Sequence, residues 1–194
     1  MRKIYTTIVV LSIGFSCWAQ KKAVSLEDIW KNYSFYPEYV WGLKSMNNGS
    51  YYVQLDRGGN GSKLNKYSYR TGKRFSTIAD SEKLGIAVRD YTFSEDEQNI
   101  LFANESESIY RYSKRSIYYV YNIRSRKLTK LLDDKVMYAT FSNDGSQVAY
   151  VKNNNLYLKD LASMQETQIT TDGVNNQVIN GATDWVYEEE FGLV

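Results

Sequence analysis

Tyr91-Thr92-Phe93-Ser94-Glu95-Asp96 and Ala139-Thr140-Phe141-Ser142-Asn143-Asp144 are two copies of one pattern, a strand-like approach that ends in a turn. A fainter third copy ends at Asn48-Gly49, so that Asn48, Asp96 and Asp144 stand 48 residues apart, twice. Each turn leads into an apolar strand: Tyr51-Tyr52-Val53, Ile100-Leu101-Phe102 and Val148-Ala149-Tyr150. A period of this length, with turn residues at fixed offsets and almost no helical periodicity, is the signature of propeller blades of four strands each. The chain therefore reads as all-β, an incomplete β-propeller of about three to four blades. Asn143-Asp144-Gly145-Ser146 reads as a hairpin turn, because Asp-Gly supplies the positive backbone angle such a turn needs. A calcium loop would require further oxygen ligands at alternating positions, which this stretch lacks.

The repeat is uneven in one place. From Phe93 to Ile123 is 30 residues, whereas the matching step from Phe141 to Leu161 is 20. The excess falls around Asn104 to Ser116 and predicts a hairpin that extends past the regular blade, bearing Tyr110, Arg111 and Tyr112. Extended hairpins on a rigid scaffold are where binding groups tend to lie, although a solvated charged hairpin fits the same residues.

Two short helices are expected. Ser25-Leu26-Glu27-Asp28-Ile29-Trp30 has Ser25 as cap and Asp28 in the capping-box position. Thr183 to Phe191 read T-D-W-V-Y-E-E-E-F, where Asp184 caps and the glutamates fall in the first turn, favoured by the helix dipole. No other helix is predicted. The glutamate run admits two readings, a solvated acidic helix start or a cation site. A peptide N-terminus is an ammonium with three donors, and two converging carboxylates, Glu189 and Glu190, would satisfy its charge and fix its direction. Set a fixed distance from a nucleophile, such an anchor would measure off an extended chain at about 3.3 to 3.6 Å per residue.

Composition bounds the chemistry. The 194 residues include no histidine, so no His-dependent triad can be built from this chain alone. Met1 to Gln20 has Arg2 and Lys3, an apolar run from Ile8 to Phe15, and small residues before a cleavage point after Ala19, which marks residues 1–19 as a secretory signal peptide. The apolar run is far shorter than the roughly 20 residues of a membrane-spanning helix. Lipidation of Cys17 is the rival reading, but Gly14-Phe15-Ser16 lacks the aliphatic residue that a lipoprotein signal carries. Cleavage would remove two of the 24 basic residues and the single cysteine, leaving 22 basic against 22 acidic residues. A neutral chain gives no electrostatic case for nucleic acid or anionic membrane. Without a thiol, an exported chain has no disulfide staples, thiol nucleophile or Cys-based metal site, and no metal or cofactor is expected.

T-D-W-V-Y-E-E-E-F resembles the double-glutamate motif of the dipeptidyl peptidase IV family of secreted serine exopeptidases, bacterial type. The resemblance extends through S-L-E-D-I-W-K-N-Y, R-D-Y-T-F-S-E-D, I-Y-R-Y-S and F-S-N-D-G-S-Q-V-A-Y, in the family's order. It implies that Glu189 and Glu190 bind the substrate ammonium and that Arg111 contacts a substrate carbonyl oxygen. It implies removal of N-terminal dipeptides with Pro or Ala in second position by a Ser, an Asp and a His on a C-terminal α/β-hydrolase domain that is absent here. It further implies peptide substrates with a free N-terminus as partners, a possible homodimer in the complete enzyme, and a periplasmic or cell-surface location. Residues 20–40 would pack on the hydrolase domain, and 41–194 would form the partial propeller. About 175 mature residues at 48 per repeat give fewer than the seven or eight blades of the family's ring, so an open, aggregation-prone array without peptidase activity of its own is expected. Alternative readings are a non-catalytic periplasmic propeller used for binding, and a degenerate truncated paralogue.

Overall fold

The computed structural model describes residues 23–37, 42–59 and 61–193. The leader, Cys17 and the cleavage point after Ala19 lie outside the described residues. The chain divides into two units between Tyr39 and Val40, and each is described by itself.

In the first unit, helix α1 spans Leu26–Trp30. Its start follows the predicted reciprocal cap: Asp28 N–H donates to Ser25 Oγ at 3.1 Å, and Ser25 N–H donates to Asp28 Oδ2 at 3.4 Å. Two of the donors that a helix start leaves without intrahelical partners are thereby satisfied.

The second unit holds three antiparallel four-stranded groups. Blade 1 comprises β1 (Lys44–Ser45), β2 (Tyr51–Gly58), β3 (Gly61–Ser68) and β4 (Arg74–Asp80). Blade 2 comprises β5 (Asp90–Phe93), β6 (Asn99–Ser108), β7 (Lys114–Asn122) and β8 (Lys127–Lys130). Blade 3 comprises β9 (Val136–Phe141), β10 (Gln147–Lys152), β11 (Asn155–Asp160) and β12 (Glu166–Gln168). The second strands begin at 51, 99 and 147, which preserves the 48-residue period. The fold is thus all-β, a portion of a β-propeller. Residues 169–184 do not start a fourth blade; they carry one isolated bridge, Val174 to Val178, and lead into a helix.

The turns that set the period share one chemistry. Gly49, Glu97 and Gly145 have φ of 64°, 56° and 69°, and each donates its N–H to the carbonyl three residues back, on Met46, Ser94 and Ser142, at 2.9 Å. The Asn or Asp before each accepts the N–H two residues on: Ser50 to Asn48 at 2.9 Å, Gln98 to Asp96 at 3.0 Å, Ser146 to Asp144 at 3.0 Å. These are Asx turns, as the hairpin reading requires. The Ser142 hydroxyl, with the Ser146 amide and hydroxyl, draws the Asp144 carboxyl down to about 2. Glu97 stands where the other turns have glycine, and its side chain has a use: Oε1 accepts the Asn47 N–H of the preceding blade at 2.7 Å. Asn47 Nδ2 in turn donates to the Glu95 carbonyl at 2.7 Å, linking matching positions of adjacent repeats.

Blade 2 is covered on both faces, which explains its unbroken apolar runs. Ile100, Phe102 and Tyr121 pack toward blade 1 with Val53, Leu64 and Val88. Leu101, Tyr118 and Val120, one residue out of phase, pack toward blade 3 with Val136, Val148 and Tyr150. Because successive side chains of a strand point to opposite faces, one strand seeds two interblade cores. Phe102 is fully buried in the first of these. Phe102→Ala should therefore cost about 3 to 5 kcal/mol of unfolding free energy, measured by denaturant titration. A loss below about 1 kcal/mol, within the range of a surface substitution, would contradict this packing.

Two features differ from expectation. A four-residue helix α2, Ser81–Leu84, joins blades 1 and 2, capped by Asp80 and closed by Gly85 at φ 67°. Its signals were present in the sequence, but it is too short to show helical periodicity. Blades 2 and 3 also merge into one eight-stranded sheet, because Arg115 and Ser116 on the extended part of β7 pair with Met137 and Val136 of β9. The hairpin inserted in blade 2 thus braces blade 3.

Candidate functional site

Helix α3 spans Trp185–Phe191. Asp184 caps it by accepting the Tyr187 N–H at 3.0 Å, and Gly192, at φ 65°, ends it. Of the three glutamates only Glu188 lies in the first turn; Glu189 and Glu190 fall in the second, a correction to the sequence reading. Successive helical residues are turned by roughly 100°, so three consecutive glutamates cannot converge on one point. Glu188 is fully buried, Glu189 is partly buried and Glu190 is exposed.

The inward glutamates grip the tip of the β6–β7 hairpin, some 75 residues away in sequence. Glu188 Oε1 accepts the backbone N–H groups of Tyr112 at 2.6 Å and Ser113 at 2.8 Å. Glu189 Oε1 accepts the Arg111 N–H at 3.0 Å, and its Oε2 pairs with Arg111 Nε at 3.0 Å. The next donors back, Tyr110 N–H and Ile109 N–H, turn to the Ser113 hydroxyl at 3.3 Å and the Ser113 carbonyl at 2.9 Å. Every backbone donor from Ile109 to Ser113 is thus accounted for, three of the five by carboxylates of α3. Lower down, Glu107 joins Arg115 at 2.9 Å and Lys135 at 2.6 Å, and the Ser106 and Ser116 hydroxyls meet at 2.8 Å. The hairpin is a braced arm.

Electrostatics follow from this placement. Burial pushes the Glu188 carboxyl up, but the hydrogen bonds from Ser113 and Tyr112 outweigh it and hold the group below its ordinary value, ionised. The Glu189 carboxylate is largely shielded, with 15% of its side chain exposed, while the Arg111 side chain is 62% exposed. The guanidinium is committed to Glu189 at Nε, and the rest of the side chain is largely open to solvent. The site therefore offers an exposed carboxylate, a shielded carboxylate and a half-committed guanidinium within one helix turn and one hairpin tip. The structure brings Arg111 and Glu189 into direct contact and places Glu190 on the following residue of α3. The role of Glu188 was not read from the sequence. The available signal was a hairpin tip whose amides needed acceptors beside a run with one glutamate too many.

The model for the dipeptidyl peptidase IV N-terminal region matches residues 94–193, more than half of the chain, and covers β6 to β8 of blade 2, all of blade 3, the arm and α3. The chain belongs to the dipeptidyl peptidase IV family. Human prolyl endopeptidase FAP is 28% identical over 175 residues, 87% of this chain and 22% of that protein. Pig dipeptidyl peptidase 4 is 34% identical over 124 residues, 63% of this chain and 16% of that protein. The crystal structure of Porphyromonas gingivalis dipeptidyl peptidase 4 superposes with a TM-score of 0.72 at 38% identity, covering 89% of this chain and 25% of that one. The chain spans about a quarter or less of the length of these relatives. Among the described residues, no helix is long and apolar enough to cross a membrane.

Proposed function

We propose that this chain is the N-terminal, substrate-recognising propeller portion of an exported serine peptidase that releases dipeptides from peptides with a free N-terminus and Pro or Ala in second position. Glu189 and Glu190 take the substrate ammonium, and Arg111 donates to a substrate carbonyl oxygen from the side of its guanidinium that faces away from Glu189. Family membership supports the reaction class. The observation that carries the site is the Arg111–Glu189 pair, which brings an anchor for an ammonium and a donor for a carbonyl together across 78 residues of sequence.

The physical logic is charge relief. Two adjacent carboxylates repel each other, and Arg111 offsets only part of that repulsion, so an arriving ammonium is stabilised by the remainder. A ligand lacking the positive charge gains nothing from this and faces the desolvation of Glu189 uncompensated. Held at its amine, an extended peptide presents its second peptide bond about 7 Å on, at roughly 3.3 to 3.6 Å per residue. Cleavage itself needs a nucleophile and base from outside the residues described.

The test uses the complete protein that carries this chain, with a Gly-Pro chromogenic substrate and its N-acetylated form. The free-amine substrate should be hydrolysed and the acetylated one refused; equal cleavage of the two would overturn the anchor. Arg111→Ala should lower kcat/KM by up to about tenfold, the scale of one net hydrogen bond to a neutral acceptor. Parental efficiency in Arg111→Ala would return the arm to a purely structural role.

A further inference from the structure

Strand β6 slips against β7 at the root of the arm. Asn104 pairs with Ile117 and Glu107 with Arg115, so β6 advances three residues where β7 advances two. The extra residue makes a bulge, and within it Glu105 holds φ 49°. A bulge bends the strand that carries it, so the arm meets its blade at an elbow. Residues outside glycine seldom hold such a positive φ, and where they do the surroundings enforce it.

The two sides of the elbow are fastened to different parts of the propeller. Below it, Asn104 clasps the connection that leads from blade 1: its Oδ1 accepts the Ala87 N–H at 2.8 Å, and its Nδ2 donates to the Ala87 carbonyl at 3.1 Å. At the elbow the Ser106 hydroxyl meets that of Ser116, which is fully buried. Above it the contacts turn to blade 3. Arg115 and Ser116 pair with Met137 and Val136 of β9, and Glu107 uses both of its oxygens. Its Oε2 takes Arg115 Nε, across the arm, at 2.9 Å, and its Oε1 takes Lys135 Nζ, just before β9, at 2.6 Å. Only 27% of the Lys135 side chain is exposed, so this pair is partly shielded from water. An isolated surface ion pair holds little, but one carboxylate shared by two cations, beside a paired backbone, has its geometry fixed by its neighbours. Four residues beyond Glu107 stands Arg111, at a tip that α3 grips from the far end.

We propose that Glu107 is a positioning residue of the recognition site: by joining both strands of the arm to Lys135, it sets the angle of the elbow and, through that angle, the place where Arg111 stands. The proposal rests on the recognition reading of Glu189, Glu190 and Arg111. The arm is inserted in blade 2 yet takes its position from blade 3. Glu107 itself touches no substrate; it acts through Arg115 and Lys135 on a hairpin that, held only at its tip, would rock about the bulge.

The experiment compares Glu107→Gln with the parent in the complete protein, since the substitution keeps the shape of the side chain and removes the charge that two cations share. KM for a Gly-Pro chromogenic substrate should rise roughly threefold to fivefold, the scale of partly exposed ion pairs. The value of kcat should stay nearly unchanged, because the contact weakened is made alike in ground and transition states. Exchange of the Arg111, Tyr112 and Ser113 amides should quicken. Lys135→Met should raise KM in the same direction, and adding it to Glu107→Gln should change KM little further, because the two act through one link. In an Arg111→Ala background Glu107→Gln should lose its effect on KM, which a merely structural role would not predict. An undiminished effect there would refute action through Arg111, and a parental KM in Lys135→Met would refute the tie to blade 3. Parental KM and amide exchange in Glu107→Gln, with Glu189→Gln still disabling, would overturn the proposal and leave the recognition reading intact; so would a lowered melting temperature with KM unmoved. If Glu189→Gln were also harmless, the recognition reading itself would fall.

Discussion

Glu189→Gln is expected to lower kcat/KM for free-amine dipeptide substrates by about 10² to 10³-fold in the complete protein. The substitution keeps the shape of the side chain and removes its charge, on which two partners depend. The substrate ammonium loses a charge-assisted contact, and Arg111 loses its counterion at Nε. Truncating one partner of a close charged pair costs about 2 to 5 kcal/mol, and roughly 1.4 kcal/mol is a factor of ten in rate. Glu190→Gln should act on the substrate alone, because the hydrogen bond and the ion pair of Arg111 both run to Glu189. The measurement is steady-state kinetics of both variants with circular dichroism to verify the fold. A Glu189→Gln enzyme within threefold of the parent, a change of under about 1 kcal/mol, would remove the ammonium anchor from this glutamate.

Glu188→Ala should also weaken catalysis, although Glu188 is assigned no contact with substrate. Its carboxylate takes the amides of Tyr112 and Ser113, so its loss leaves one buried and one part-buried donor without an acceptor and frees the arm that carries Arg111. The binding group that is misplaced is Arg111, so kcat/KM should fall by up to about tenfold, the scale expected for loss of its hydrogen bond. The interblade cores do not include Glu188, so the blades should remain folded. Glu188→Gln should fall between parent and Ala, since its amide oxygen still accepts. Hydrogen exchange distinguishes the variants: Tyr112 and Ser113 amides should lose protection in Ala and keep most of it in Gln. The pH dependence has a definite sign. The Glu188 carboxyl is held below its ordinary value of 4.5 in the folded state, so its contribution is present above that value and is lost as pH falls through the folded value. The arm should therefore loosen in acid, not in base. Unchanged amide protection in Glu188→Ala would show that the arm is held by its own hairpin.

Local sequence alone determined the blades. An Asx turn depends on an Asn or Asp and a residue that tolerates positive φ, and a strand depends on alternation or an apolar run. All of these are contacts between near neighbours, so the 48-residue period at Asn48, Asp96 and Asp144 was legible without coordinates. The capping box at Ser25 and the length of the Arg111 hairpin were legible for the same reason. The resemblance of the T-D-W-V-Y-E-E-E-F run pointed to the family that the comparison with residues 94–193 then showed. The division of labour among the glutamates was not legible. Three identical side chains in a row differ only in the direction the helix turns them and in what waits there: hairpin amides for Glu188, a guanidinium for Glu189, solvent for Glu190. The pairing of β7 with β9 and the register shift between β9 and β10 were equally hidden. They join residues far apart in sequence, and no local pattern encodes which buried donor will meet which buried acceptor once the blades have packed.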